Sequence, residues 1–311
     1  MFKFLLSLAL VLTLTACSSE PAREAAPATP DPAPTPKPAA APLWTVAIGI
    51  DAPESAYVDP KSGEIYVSII NGMPGEKDGN GRIAKISADG HSTNASWADG
   101  MNAPKGLRSY EGTLWTADID EILGLDMATG KITSKVKVQG AQFLNDVATG
   151  ADGTVYVSDM MGNKIYTLKG GKVGVFAEGE ELLEHPNGLL VDGDSLVVGG
   201  WGSAPDPKDF STKVLGRVFK LDLKTKKKTL VTPEPMANID GLESDGSGGY
   251  IVSDYLAGKI IHVLSDGTTK TLATFMPGTA DIAYVPGEKR LLVPHMNENK
   301  IVAYDISGAL K

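Results

Sequence analysis

The feature that most constrains this chain is a unit that returns six times. The stretches PESAYVDPKSGEIYVSI from Pro53, PKGLRSYEGTLWTAD from Pro104 and LNDVATGADGTVYVSD from Leu144 are the first three. PNGLLVDGDSLVVGG from Pro186, IDGLESDGSGGYIVSD from Ile239 and TADIAYVPGEKRLLVPH from Thr279 complete the set. Each pairs two short apolar strands through a DG- or PG-type turn, and such turns join antiparallel strands. One slot near the start of every unit changes its residue: Glu54, Lys105, Asn145, Asn187, Asp240 and Ala280, spaced 51, 40, 42, 53 and 40 residues apart. Self-similarity near forty residues, with several strands per unit, predicts a β-propeller. A two-sheet sandwich would account for the alternation but not for the returning slot.

The units also complete themselves. NKIYTLKGGKVGVFAEG and GKIIHVLSDGTTKTLATFM supply third and fourth strands, whereas the last unit runs out after a third strand in KIVAYDISGALK. The early segment LWTVAIGID can provide the missing outer strand and leave no open edge. The expectation is therefore an all-β, six-bladed propeller over residues 43–311, four antiparallel strands to a blade, with the N-terminal strand closing the last one. Two spacings exceed forty because NGMPGEKDGNG and WGSAPDPKDFSTK follow the second strands of units one and four. By strand parity both insertions lie on the face that carries the slots, where loops shape binding sites.

Innermost propeller strands converge on an axis, so the six slots face one another at the channel mouth. Four of them, Glu54, Asn145, Asn187 and Asp240, offer oxygen. Two carboxylates and two amide carbonyls suit a hard cation such as Ca²⁺ or Mg²⁺. Carboxylates crowded there without one would repel and raise a pKa. Asn187 and Asp240, each before glycine, read equally well as turn formers; Glu54 does not.

The slots resemble those of the calcium-binding six-bladed propellers of the regucalcin (senescence marker protein) and gluconolactonase family, over essentially all of residues 44–311. That family has a glutamate where Glu54 stands in PES, an NDG-like motif met by Asn145-Asp146-Val147, a PNG motif at Pro186-Asn187-Gly188 and a DG motif at Asp240-Gly241. The resemblance implies that Glu54, Asn187 and Asp240 ligate a divalent metal, with Asn145 completing the shell or touching substrate, and that Asp240 serves as general base. It implies Ca²⁺ first, with Mg²⁺, Mn²⁺ or Zn²⁺ admissible, and metal-assisted hydrolysis of a lactone or ester in a small-molecule substrate. Sugar-lactone members carry an arginine two residues before the NDG asparagine; here that residue is Phe143, and the glycine of the motif is Val147. These departures argue against a sugar lactone while leaving the metal site in place. They also keep a second reading open: a non-catalytic binding or scaffold propeller.

Lys105 fills the second slot, where it pairs with a carboxylate or holds an anionic substrate group, or else lies outward in solvent. Asp118, Asp159 and Asp254 each end a second strand, a repetition that suggests structural hydrogen bonding; His295 takes the same place and alone breaks the column, which makes it a candidate substrate contact. His185, beside the Asn187 turn, and Trp201, at the start of an insertion, read first as packing residues, with a place on a substrate wall as the alternative. Gly130-Lys131 and Gly258-Lys259 are hairpin turns, and neither completes a phosphate loop, so no nucleotide is expected.

The ends fix the setting. A run of thirteen residues from Phe4 to Ala16, apolar but for Ser7, Thr13 and Thr15, follows Lys3 and is too short for a membrane-spanning helix, which needs about 20. The run ends in Leu14-Thr15-Ala16-Cys17, which resembles a bacterial lipobox. The expectation is a signal peptide over 1–16, lipidation at Cys17, and a tether over 17–42 that holds eight prolines among alanines. Cys17 is the single cysteine, so no disulfide is available. Ser18 rather than Asp after it favours the outer membrane, facing the periplasm, in a Gram-negative host. A formal net charge of −9 argues against nucleic acid as a partner. The chain is read as a monomer, held to the membrane by its lipid.

Overall fold

The computed structural model describes residues 41–310. The signal segment, Cys17 and the tether as far as residue 40 lie outside the described residues. Within them the chain forms six four-stranded antiparallel sheets. Blade one, for example, runs Pro53–Val58, Ile65–Ile69, Gly81–Ile86 and Thr93–Met101 from the axis outward. Innermost strands of successive blades lie side by side all the way round, and the sixth returns to the first. At that seam Asp281 and Glu54 share a backbone hydrogen bond of 2.9 Å, and Ala56 donates back to the Asp281 carbonyl at 3.1 Å. The all-β, six-bladed architecture expected from the repeat is the one observed.

Closure also follows the expectation. Blade six contributes only three strands from its own repeat, and Pro42–Val46 pairs antiparallel with Lys300–Asp305 to supply the fourth. This strand begins one residue inside the segment read as tether. Helix is confined, among the described residues, to Glu180–Leu183 and a 3₁₀ turn at Met296–Glu298. The hairpin turns behave as their composition dictates; Gly246, in the DG pair of blade five, takes φ +78°, which a side chain would strain.

Alternation along each strand sends side chains to both faces, and each face meets a neighbouring blade. The core is consequently divided into wedges between blades. Ile65 and Val67 of blade one pack with Leu292 and Ile301 of blade six, while Tyr66 and Ile83 pack on the other side with Leu114 and Leu123 of blade two. The same arrangement recurs between every adjacent pair. Each such buried aliphatic side chain contributes about 1.5–3 kcal/mol. A stiff ring results, and residues far apart in sequence are held in fixed positions about its axis.

Candidate functional site

The slots owe their direction to a local irregularity. In the first five blades the pairing of strands one and two skips at the same place, between Pro53 and Ala56, Pro104 and Leu107, Leu144 and Val147, Pro186 and Leu189, and Ile239 and Leu242. The two residues inside each gap are the slot residue and its successor. Freed from the ladder, the slot side chain is re-aimed toward the axis, as bulges commonly do near sites. The successor's N–H finds a serine on strand two instead: Ser55 to Ser68 Oγ at 2.9 Å, Asp146 to Ser158 Oγ at 2.8 Å, Gly241 to Ser253 Oγ at 2.7 Å.

The column of aspartates at the ends of second strands fixes the approach to the slots. Asp118 accepts the N–H groups of Asn102 and Ala103 at 2.9 and 2.7 Å, and Asp159 accepts Phe143 N–H at 2.7 Å. These contacts secure the segments leading to Lys105 and Asn145. Their role is structural, as the repetition suggested.

Five slot residues, Glu54, Lys105, Asn145, Asn187 and Asp240, line one cavity. Ala280, the sixth, is buried. Asn187 Nδ2 donates to Asp240 Oδ1 at 2.8 Å, which commits the amide nitrogen and leaves Asn187 Oδ1 buried without a partner. Glu54 Oε2 is likewise buried and unpartnered. Two bare oxygens in one cavity, beside a carboxylate, are costly unless something positive satisfies them. This donor set fits a hard cation. Among the described residues no group of three or more His, Cys, Asp or Glu side chains is placed to hold a metal, so a cation here would rest on two carboxylates and the amide oxygens.

Charge in the cavity is strongly perturbed. Burial pushes the Glu54 carboxyl well above its usual range, and the neighbouring Asp240 charge adds to this while Lys105 opposes it. Burial raises Asp240 to about 7, against the donation from Asn187 and together with the charge of Asp146. Lys105 is only 1% exposed. Its desolvated ammonium falls to about 8, with Glu54 and Asp118 pulling the other way. It donates to Ala103 O at 2.9 Å and sits 4.6 Å from the centre of the Phe143 ring. Of the alternatives open for Lys105, outward solvation is excluded.

Beneath this floor lies a second set of buried charges. Asp146 accepts Leu189 N–H at 2.6 Å and Val147 N–H at 2.7 Å, fastening blade three to blade four. Its carboxylate occupies the space that a side chain at Gly106 would need. Asp281 accepts Ser55 Oγ at 2.5 Å, and Arg108 pairs with Glu243 at 2.9 Å across 135 residues of chain.

Of the wall residues, the sequence singles out only Trp201 for that role, and that as an alternative to packing. Phe143, Trp201, Phe210, Tyr255, Met160 and Met296 surround the floor, with Ile70 and Pro74 on the blade-one side. Both insertions reach the site as strand parity required, through Pro74 and through Trp201 and Phe210. Trp201 stacks edge-on to Phe210 at 6.4 Å and lies 5.9 Å from Tyr255, so it lines the cavity as well as packing. His295 does not reach it. The imidazole is 3% exposed, 4.8 Å from the Phe275 ring and 3.3 Å from the Tyr304 hydroxyl, and burial lowers its pKa to about 4. The physical reason is that the imidazole packs against Phe275 and Tyr304 in the wedge between blades five and six, away from the cavity. His185 bonds the Met160 carbonyl and Glu180.

No known protein family and no curated protein matches the chain by sequence. Solved structures do resemble it in three dimensions. A gluconolactonase from Xanthomonas campestris matches with TM-score 0.60 at 18% identity, over 91% of this chain and 98% of that one. A catalytically inactive virginiamycin B lyase from Staphylococcus aureus, solved with quinupristin, matches with TM-score 0.56 at 15% identity, over 84% and 97%. A chain of the nidogen/laminin complex matches with TM-score 0.60 at 14% identity, over 73% and 87%. At these identities the likeness is one of fold: this chain shares the propeller of a gluconolactonase and of a lyase.

Proposed function

We propose that the protein is a metal-dependent hydrolase that opens a lactone or ester bond at the channel mouth. The observation that carries this reading is the pair of bare buried oxygens, Glu54 Oε2 and Asn187 Oδ1, on residues that line one cavity with Asp240. Glu54, Asn187 and Asp240 would hold a divalent cation, Ca²⁺ first, with Asn145 completing the shell. Such a cation supplies a Lewis acid for the carbonyl oxygen and eases deprotonation of water.

The chain's own groups do the rest. Asp240 Oδ1 is fixed by Asn187 and its other oxygen carries no hydrogen bond from the described residues, so it is free to accept the proton of the attacking water. Lys105 places a positive charge near developing oxyanion or carboxylate product, from a site where low dielectric strengthens it. The aromatic walls restrict water to what the floor admits. The likeness of fold to a gluconolactonase and to virginiamycin B lyase supports a site of this class in such a ring.

The test uses the full chain with Cys17→Ser, assayed on a lactone and aryl-ester panel in Ca²⁺ and in chelator. Turnover that requires the metal and is lost in Asp240→Ala is the expected result. Metal bound without turnover of any compound would favour the second reading, a binding propeller, which the aromatic residue at 143 and the fold likeness to the nidogen/laminin chain support. We further propose that Cys17 is lipidated and holds the ring at a bacterial envelope, on the outer membrane facing the periplasm in a Gram-negative host; Cys17→Ser should then move the protein from the membrane fraction to the soluble one.

A further inference from the structure

The cavity is too small for the molecules its walls would suit. It offers about 60 Å³ to the centre of a water-sized sphere, room for about four to six waters. A lactone ring or an ester group fills that space, and the remainder of any larger substrate must leave it. One exit is built. A groove of about 410 Å³ on the same measure runs outward between the two insertions, lined by Met73, Pro74, Phe143, Met161, Pro207 and Phe210. Pro74, Phe143 and Phe210 line both the cavity and the groove, so the groove borders the cavity at these three side chains. Only Glu76 and Lys208 bring charge to the groove's lining.

Uncommitted polar groups on the cavity walls are few. Trp201 Nε1 donates to Phe210 O at 2.8 Å, and the Tyr255 hydroxyl is engaged by Met296 Sδ at 3.1 Å. A polyhydroxylated ligand entering here would shed hydration with little on the walls to replace it. An alkyl chain would gain. Met73, 62% exposed at the outer end, extends the apolar surface past the mouth.

We propose that the substrate is an amphiphile: a lactone or ester head seated over Glu54, Asn145, Asn187 and Asp240, with an unbranched alkyl or acyl tail in the groove between the insertions. This rests on the hydrolase reading for its head group and adds the class of tail. Water adds to the carbonyl carbon, the carbonyl carbon's single bond to oxygen breaks, and the products are a carboxylate and a hydroxyl. The tail remains on whichever fragment carried it.

The test takes the full chain with Cys17→Ser through γ-lactones from γ-butyrolactone to γ-dodecalactone and 4-nitrophenyl esters from acetate to decanoate. Glucono-δ-lactone is the polar control. Binding of the same γ-lactones is measured by calorimetry in chelator, where no metal-dependent turnover intrudes. The expected kcat/KM rises about fourfold per methylene over the first several carbons, the fold-change equivalent to about 0.8 kcal/mol per buried methylene, and Kd falls in step. Met73→Ser with Met161→Ser should flatten that slope.

Turnover without chain-length dependence, or a preference for glucono-δ-lactone, would overturn the tail and leave the hydrolase. Chain-length-dependent binding with no turnover would support the tail and overturn the hydrolase. Absence of both overturns both.

Discussion

Replacing Asp240 by asparagine should stabilise the metal-free protein at neutral pH and destabilise the metal-loaded one. Asparagine keeps the shape and an oxygen to accept from Asn187 Nδ2, while the buried charge disappears. Asp240 titrates near 7 in the folded chain and at 3.8 when solvated. A folded-state pKa above the unfolded one means that the native chain holds this proton more tightly, so the Asp240 contribution to stability falls as pH rises from about 4 to about 7 and levels off beyond. A separation of about three pH units, at about 1.36 kcal/mol each, sets a ceiling of about 4 kcal/mol. In chelator the Asp240→Asn variant should therefore gain about 1 kcal/mol over wild type at pH 4.5 and about 4 kcal/mol at pH 8. For a ring of this size about 2 °C accompanies each kcal/mol, so Tm at pH 8 should rise by roughly 8 °C. His295, held near 4 by burial, titrates in the opposite sense, but it is common to both proteins and cancels in the difference. Excess Ca²⁺ should reverse the ranking, because a ligand at a hundred times its Kd adds about 2.7 kcal/mol to the protein that binds it and also lifts the charge penalty on Asp240. Differential scanning fluorimetry at both pH values, with chelator or Ca²⁺, reads all four conditions. A variant no more stable than wild type in chelator at pH 8 would refute the burial argument; a wild type indifferent to Ca²⁺ would refute the metal.

Three other perturbations probe the ring around the site. Gly106→Ala puts a methyl carbon 2.6 Å from the Asp146 Cα and into the space its carboxylate fills, and should cost at least about 3 kcal/mol in urea unfolding, whereas a loss below about 1 kcal/mol would show a slack interlock. Arg108→Met strands Glu243 and should cost about 3–5 kcal/mol, most of it recovered in the double variant Arg108→Met, Glu243→Leu; no recovery would mean that the pair does not act as a unit. Lys105→Met removes a cation from beside Glu54 and should tighten Ca²⁺ binding on the order of tenfold by calorimetric titration, while weaker binding would show that Lys105 organises the site.

What the sequence disclosed follows from where each signal is stored. Blades were legible because alternation and glycine turns are local and return six times. The floor was legible because Glu54, Asn145, Asn187 and Asp240 occupy one register position relative to those turns. The bulge that turns them inward is itself repeated, so sequence position stood in for direction. Most of the wall has a register too, since Ile70, Met160, Trp201, Tyr255 and Met296 each directly follow a second strand, but these are apolar residues of differing type, and such residues look alike in a sequence whether they line a cavity or cover a core. Departure from a family arginine at Phe143 and the place of Trp201 at the start of an insertion were the available hints. His295 misled for a related reason, since the break it makes in the aspartate column is real but that column fastens the segments leading to the slots, and the imidazole turns instead onto Phe275 and Tyr304. Asp146 was read as part of an NDG-like motif, and nothing in the string of letters showed that its carboxylate fits against Gly106 and fastens Leu189.

The strand that completes blade six has a consequence for how the molecule is made. Pro42–Val46 finds its partner at Lys300–Asp305, about 260 residues later, so five sheets can form while this one waits. Bringing such distant segments together carries a loop-closure cost that grows only slowly with length, but it comes late and must be met by the last contacts to form. Until synthesis reaches that point, one flank of the nascent ring offers bare strand edge to any passing chain. Cells that produce this protein need a way to shield that flank.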